Sequence, residues 1–153
     1  MTIEPYTGDR GRLRDLFELA EDSQRALDAY IGEGRVLVAS EDDTPLGQLQ
    51  LTDTGDPATA EIKNMAVLES HQGRGIGAAL VAAAAELARA EGRSALVVAT
   101  AAADIGNLRF YQRVGFRLRS VERDAFTPAT GYPDPIDIDG IELRDRVWLD
   151  RRL

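Results

Sequence analysis

Three glycines in the hexapeptide Gln72-Gly73-Arg74-Gly75-Ile76-Gly77 separate a strand-like segment from the longest helical pattern in the chain. Upstream, Ala58–Leu68 reads as a strand. Downstream, Ile76, Leu80, Ala83, Ala84, Leu87 and Ala88 fall on one stripe at helical spacing, with Arg89 in the last turn and Gly92 as the stop. Glycine lets a backbone approach a ligand closely, and bare amides at a helix N-terminus favour a pyrophosphate. The side chains of Gln72 and Arg74 can add donors. A turn that only starts the helix fits the same glycines.

The flanking pattern restricts the fold further. Thr2–Tyr6 reads as a short opening strand, and Asp9 can cap a helix carrying Leu13, Leu16, Phe17 and Ala20. A second short helix runs from Ser23 to Tyr30. Arg35–Ser40 and Leu46–Leu51 flank a tight acidic turn and predict an antiparallel hairpin, extended by Ala58–Leu68 into a meander. After the long helix, Ser94–Thr100 is apolar on both faces, as a central strand is. Asp104–Val114 predicts a helix stopped by Gly115, followed by a strand at Phe116–Val121. A loop rich in proline and acid, Asp124–Asp139, leads to a final strand at Glu142–Leu149. Strands in meander order followed by alternating helices and strands predict an α/β chain with a mixed sheet.

Composition excludes several classes of chemistry. The chain has 153 residues, which predicts one domain over residues 1–153. With no cysteine and the single histidine His71, thiol catalysis, iron–sulfur clusters and His-rich zinc sites drop out, so no metal is expected. A net charge of −8 disfavours nucleic acid and anionic lipid and favours small cations. No long apolar run or signal-like N-terminus is evident, so no membrane partner and a cytoplasmic setting are expected.

Three phosphate-binding schemes compete for the glycine turn. A P-loop needs Gly-Lys-Ser/Thr, and Gly77-Ala78-Ala79 lacks it. A dinucleotide fold can claim Gly73-x-Gly75-x-x-Ala78, but the following strand ends Val98-Ala99-Thr100 without the ribose-binding acid. The third scheme is an acyl-coenzyme A site. Gln72-x-x-Gly75-x-Gly77 after the strand Glu61–Val67, with Phe110-Tyr111-Gln-Arg-Val-Gly115-Phe116 downstream, resembles the two signatures of the GNAT superfamily of N-acetyltransferases. The resemblance extends over essentially the whole chain and is most specific from Glu61 to Phe116.

The resemblance implies a mostly antiparallel central sheet of about six to seven strands, with a splayed central parallel pair and about four flanking helices. It implies acetyl-CoA as co-substrate, its arm entering the splay against the backbone of Met65, Ala66 and Val67. The segment Gln72, Gly73, Arg74, Gly75, Ile76, Gly77 and Ala78 would wrap the pyrophosphate. An amide at Met65 would also stabilise an oxyanion, a contribution of about 3–4 kcal/mol. Tyr111 matches the superfamily's general acid, a phenol able to protonate a leaving thiolate; packing beside Phe110 explains it equally. Two readings fit Glu61, a general base on the motif strand or a solvated partner of Lys63. By the two-residue strand period it shares a face with Lys63 and Met65. His71 is a proton acceptor by chemistry and a turn residue by position. Where the superfamily often carries an asparagine, this chain has Asp104, and Asn107 one turn later is the candidate substitute for holding the arm.

The activity implied is direct acetyl transfer to a primary amine of a small molecule or peptide. The alternative is a non-catalytic acyl-CoA sensor of the same fold. Phe126, Tyr132 and the acids of the 124–139 loop, together with Leu16–Tyr30, are the candidate walls for a cationic acceptor, and a solvent-exposed linker fits the loop's composition equally. Homodimers are common in the superfamily, and nothing in the residues locates an interface.

Overall fold

The computed structural model describes residues 1–153. Strands β1 (Thr2–Pro5), β2 (Arg35–Glu41), β3 (Thr44–Asp53), β4 (Thr59–Val67), β5 (Ala95–Ala101), β6 (Arg117–Glu122) and β9 (Arg146–Arg152) form one sheet in the order β1-β2-β3-β4-β5-β9-β6. Only β4 and β5 run parallel. Helices α1 (Arg14–Glu18) and α2 (Gln24–Tyr30) cover one face, and α3 (Ile76–Ala90) covers the other. The fourth helix, α4 (Ile105–Arg113), follows β5. No helix is long and apolar enough to cross a membrane.

Local chemistry sets the helix ends. The Ser23 hydroxyl accepts from the amide of Ala26 at 3.1 Å, and the Asp104 carboxylate accepts from the amide of Asn107 at 3.0 Å. Helix α3 closes on a Schellman motif, in which the amides of Arg93 and Gly92 donate to the carbonyls of Ala88 and Arg89. Gly92 occupies the left-handed region at φ 80°, which only glycine enters without cost. The apolar face of α3, with Leu80, Val81, Ala84 and Ala88, packs on Leu49, Leu51, Ile62, Leu96 and Leu149. A second cluster seats Leu13, Leu16, Phe17, Leu27 and Tyr30 on Val36 and Val38.

Three sequence expectations need correction. The turn capped by Asp9 is a 3-10 turn over Arg10–Leu13, and the α-helix proper is only Arg14–Glu18. The final strand begins at Arg146, four residues later than expected. Ahead of it, β7 (Asp137–Ile138) and β8 (Ile141–Glu142) form a separate hairpin. Asp139 and Gly140, both at positive φ, make its two-residue turn, and Asp-Gly is the sequence signal for that turn. Finally, β4 does not keep a two-residue period. Gln50 lies opposite Asn64 and Leu51 opposite Ile62, so Lys63 is an unpaired bulge residue. The bulge leaves Met65 and Ile62 on the α3 side and turns Glu61 away from Met65, opposite Thr52.

Candidate active site

The parallel pair at the centre of the sheet is open at one end. Registered pairs join Thr59 to Ala95 through Ile62 to Val98, and none follows, although β4 continues to Val67 and β5 to Ala101. Antiparallel hydrogen bonding alternates, and the amide of Leu68 donates to the carbonyl of Leu46. Ala66 and Asn64 therefore direct their backbone groups to β3, while Met65 and Val67 direct theirs into the opening. The carbonyl of Val67 already accepts from Gln72 Nε2 at 3.1 Å, so the Gln72 side chain braces the mouth of the splay.

Beyond that brace the turn presents donors. Gly73 and Gly75 sit at φ 78° and 81°, with open space where a side chain would project. From Gly73 to Ala78 no backbone amide reaches a protein acceptor; the first helical bond of α3 runs from Ala79 to Gly75. Consecutive free amides at the N-terminus of a fifteen-residue helix make an anion cradle. Gly77 has a different role. A side chain there would lie 3.2 Å from the ring of Phe110, so the glycine lets α4 approach α3.

A cavity of about 950 Å³ runs from this turn through the splay to the α1–α2 side of the sheet. Among the residues singled out from the sequence, Tyr111, Glu61, Met65, Ala66, Val67, Gln72, Gly73, Gly75, Ile76, Gly77, Ala78 and Asn107 line it. Arg74 does not line it and is exposed. Tyr111 is only 5% exposed, packed edge-on against Phe110 and Phe116, and its hydroxyl has no hydrogen-bond partner in the protein. Burial holds this phenol above its ordinary pKa, with the nearby Asp104 charge adding to the rise. Asp104 is occupied in capping α4, and Asn107 Nδ2 turns to Thr100 Oγ1 at 3.4 Å. His71 lines the cavity with its Nδ1 engaged by Ser70 at 2.8 Å.

The far end of the cavity carries carboxylates and aromatics. Glu61 is partly buried, and burial raises its pKa against the lowering influence of Lys63 and Arg146. Glu21 accepts from two phenols, Tyr30 at 3.1 Å and Tyr132 at 2.5 Å. The Tyr30 hydroxyl in turn accepts from Asn64 Nδ2 at 3.0 Å, and Gln48 donates to Asn64 Oδ1 at 2.6 Å. A polar chain thus runs from the buried middle of β3 to the cavity. Asn64, Tyr30 and Glu21 were missed as individual residues, because each partner comes from a distant element. Phe126 and Tyr132 do line this end, but the acids expected with them, Asp124, Asp134, Asp137 and Asp139, do not. Glu21 ties that loop to the α1–α2 segment, so Tyr132→Phe should cost ~1.5 kcal/mol, since bonds to charged groups are the stronger ones. Thermal melts should read a fall of about 4 °C in Tm; an unchanged Tm would show that the contact carries no load.

A mixed sheet opened between its one parallel pair, with a cradle of amides at the mouth, is the architecture of an acyl-CoA-dependent transferase. The sequence profile of the Acetyltransferase (GNAT) family matches residues 6–116, and the chain belongs to that family. The uncharacterized N-acetyltransferase YvbK of Bacillus subtilis strain 168 is 36% identical over 149 residues, covering 97% of this chain and 94% of its own. Among solved structures, a GNAT family acetyltransferase from Elizabethkingia anophelis with acetyl-CoA bound superposes with TM-score 0.90 at 34% identity, over 99% of this chain and 97% of that one. A Bacillus subtilis acetyltransferase in complex with CoA gives 0.89 at 35%, with the same coverage. No group of three or more His, Cys, Asp or Glu side chains is placed to hold a metal ion.

Proposed function

We propose that this chain, acting as one domain, transfers an acetyl group from acetyl-CoA to a primary amine of a small molecule or peptide. The transfer is direct, within a ternary complex. The observation that carries the reading is the cavity itself, in which the unpartnered hydroxyl of the largely buried Tyr111 shares one space with the free backbone groups of β4 and the amides of Gly73–Ala78. That donor set fits a thioester with a diphosphate tail. The helix N-terminus takes the diphosphate, and the exposed edge of β4 pairs with an amide-bearing arm.

Each protein group has a defined task. Glu61 removes a proton from the incoming ammonium, and its raised pKa brings it towards the range in which a carboxylate is an effective base. The amide of Met65 donates to the oxygen on which negative charge gathers as the new C–N bond forms. Tyr111 gives its proton to the sulfur as the C–S bond breaks. Its elevated pKa keeps it protonated throughout the working range. With no cysteine in the chain, no acyl-thiol relay competes with direct attack. Glu21, Asp22 and Glu61 give the acceptor end an acidic character, which suits an amine that arrives charged.

Binding tests the reading without knowledge of the acceptor. Acetyl-CoA at about a hundredfold excess over Kd should stabilise the fold by about 2.7 kcal/mol, or roughly 5–10 °C in Tm. NADH, with a pyrophosphate but no thioester arm, should give no comparable shift. The reverse pattern would end the proposal. Release of free CoA with a panel of amines, above the amine-free background, then identifies the acceptor class.

A further inference from the structure

The chain contains one lysine, and it stands inside the catalytic cavity. Lys63 is the bulge residue of β4, without a pairing partner on β3, and its side chain is exposed to the cavity. Its Nζ lies 5.0 Å from the ring centroid of Tyr30, on the acceptor side of the sheet. No carboxylate pairs with it within salt-bridge distance, and it makes no hydrogen bond to the protein. The arginines on the salt-bridged surface are held by Asp or Glu, as Arg35 is by Asp53 and Glu91. Only a ring face holds this amine, so it is free to swing.

The geometry points to Lys63 as a self-acetylation site, taking the acetyl group that the same cavity presents to its acceptor. This inference rests on the proposed acetyl-CoA seat. Lys63 stands two residues before Met65, whose amide faces the splay. At about 3.3 Å of rise per residue, four methylenes span the distance between them. Glu61 is the neighbouring carboxylate that senses the Lys63 charge. In the step, the Nζ ammonium loses one proton to Glu61 and the neutral amine attacks the thioester carbonyl, forming a C–N bond. The C–S bond breaks, the thiolate takes the proton of Tyr111, the second nitrogen proton restores the Tyr111 phenol, and Glu61 returns its proton to solvent. The product is a neutral amide at Lys63 and free CoA, and no other co-reactant is needed. Acetylation removes a positive charge from the acceptor end and releases the Tyr30 ring face, so the modified enzyme meets its amine in a more acidic cavity.

Intact-mass spectrometry of the purified chain with acetyl-CoA, in the absence of amine, tests the assignment. One acetyl group should be gained, with trypsin no longer cleaving after Lys63. The rate should be independent of protein concentration, and excess CoA should suppress it. Lys63→Arg should gain none at that position. Tyr111→Phe should gain it ~10²–10³-fold more slowly, as expected for loss of an acid catalyst. Thermal shift with acetyl-CoA is read on the same samples. Stabilisation by acetyl-CoA with Lys63 unmodified, or acetylation falling on the Met1 amine instead, would overturn self-acetylation and leave the acetyl-CoA seat standing. No stabilisation and no acetylation would overturn both.

Discussion

Tyr111→Phe is expected to lower kcat by ~10²–10³-fold, equivalent to about 2.7–4 kcal/mol of transition-state stabilisation, while leaving the fold and acetyl-CoA binding nearly intact. The ring sits 5.1 Å from Phe110 and 5.6 Å from Phe116 in edge-on contacts that phenylalanine preserves. The hydroxyl meets no protein acceptor, so its removal breaks no bond and exposes no orphan; the change in stability should stay within about 0.5 kcal/mol. What disappears is the one proton that this wall of the cavity can offer to a departing thiolate. Steady-state kinetics at saturating amine, with acetyl-CoA varied, should therefore show the fall in kcat with little change in KM. An unaltered kcat would leave Tyr111 as a packing residue only.

How far the residues alone carried this reading depends on the kind of signal each leaves. The glycine turn was legible because Gly73 and Gly75 need positive φ and because a strand and a striped helix flank it. The central position of β5 was legible from its run of apolar residues, which both faces of the sheet bury. The Lys63 bulge was not. Ala60, Ile62, Asn64 and Ala66 are buried at an unbroken two-residue spacing although the bulge puts Ile62 and Asn64 on opposite faces, so the pattern runs straight through the bulge and conceals it. Consequently Glu61 was assigned to the face of Met65, and the structure turns it to the other. The polar chain Gln48–Asn64–Tyr30–Glu21–Tyr132 links residues up to 111 positions apart, and no local spacing encodes such a contact. Fully buried Gln48 and Gln50 interrupt an otherwise apolar strand, and that interruption was the available hint.

The same displacement of Glu61 makes its removal informative in two opposite directions. Glu61→Gln should reduce kcat/KM by roughly 10²–10³-fold, because the amide cannot accept the proton of the attacking ammonium. It should also make the protein more stable at neutral pH. Burial lifts the pKa of Glu61, only partly offset by Lys63 and Arg146, with Glu33 pushing in the same direction as burial. The unfolded chain therefore ionises this carboxyl first as pH rises. Between the unfolded and folded pKa values the native state binds the extra proton, and stability falls with pH across that window. Above it, the wild type carries the full cost of a desolvated charge, and glutamine carries none. Melting curves should give the variant the higher Tm at pH 7, with the difference closing below about pH 4, where both forms of the wild-type carboxyl are protonated. The acid limb of kcat/KM should lie above the ordinary carboxylate range in the wild type and vanish in the variant. A variant as active as the wild type would reduce Glu61 to a wall of the cavity. A variant with lower Tm at pH 7 would mean that its charge is paired in solution by Lys63 or Arg146 more strongly than burial opposes it.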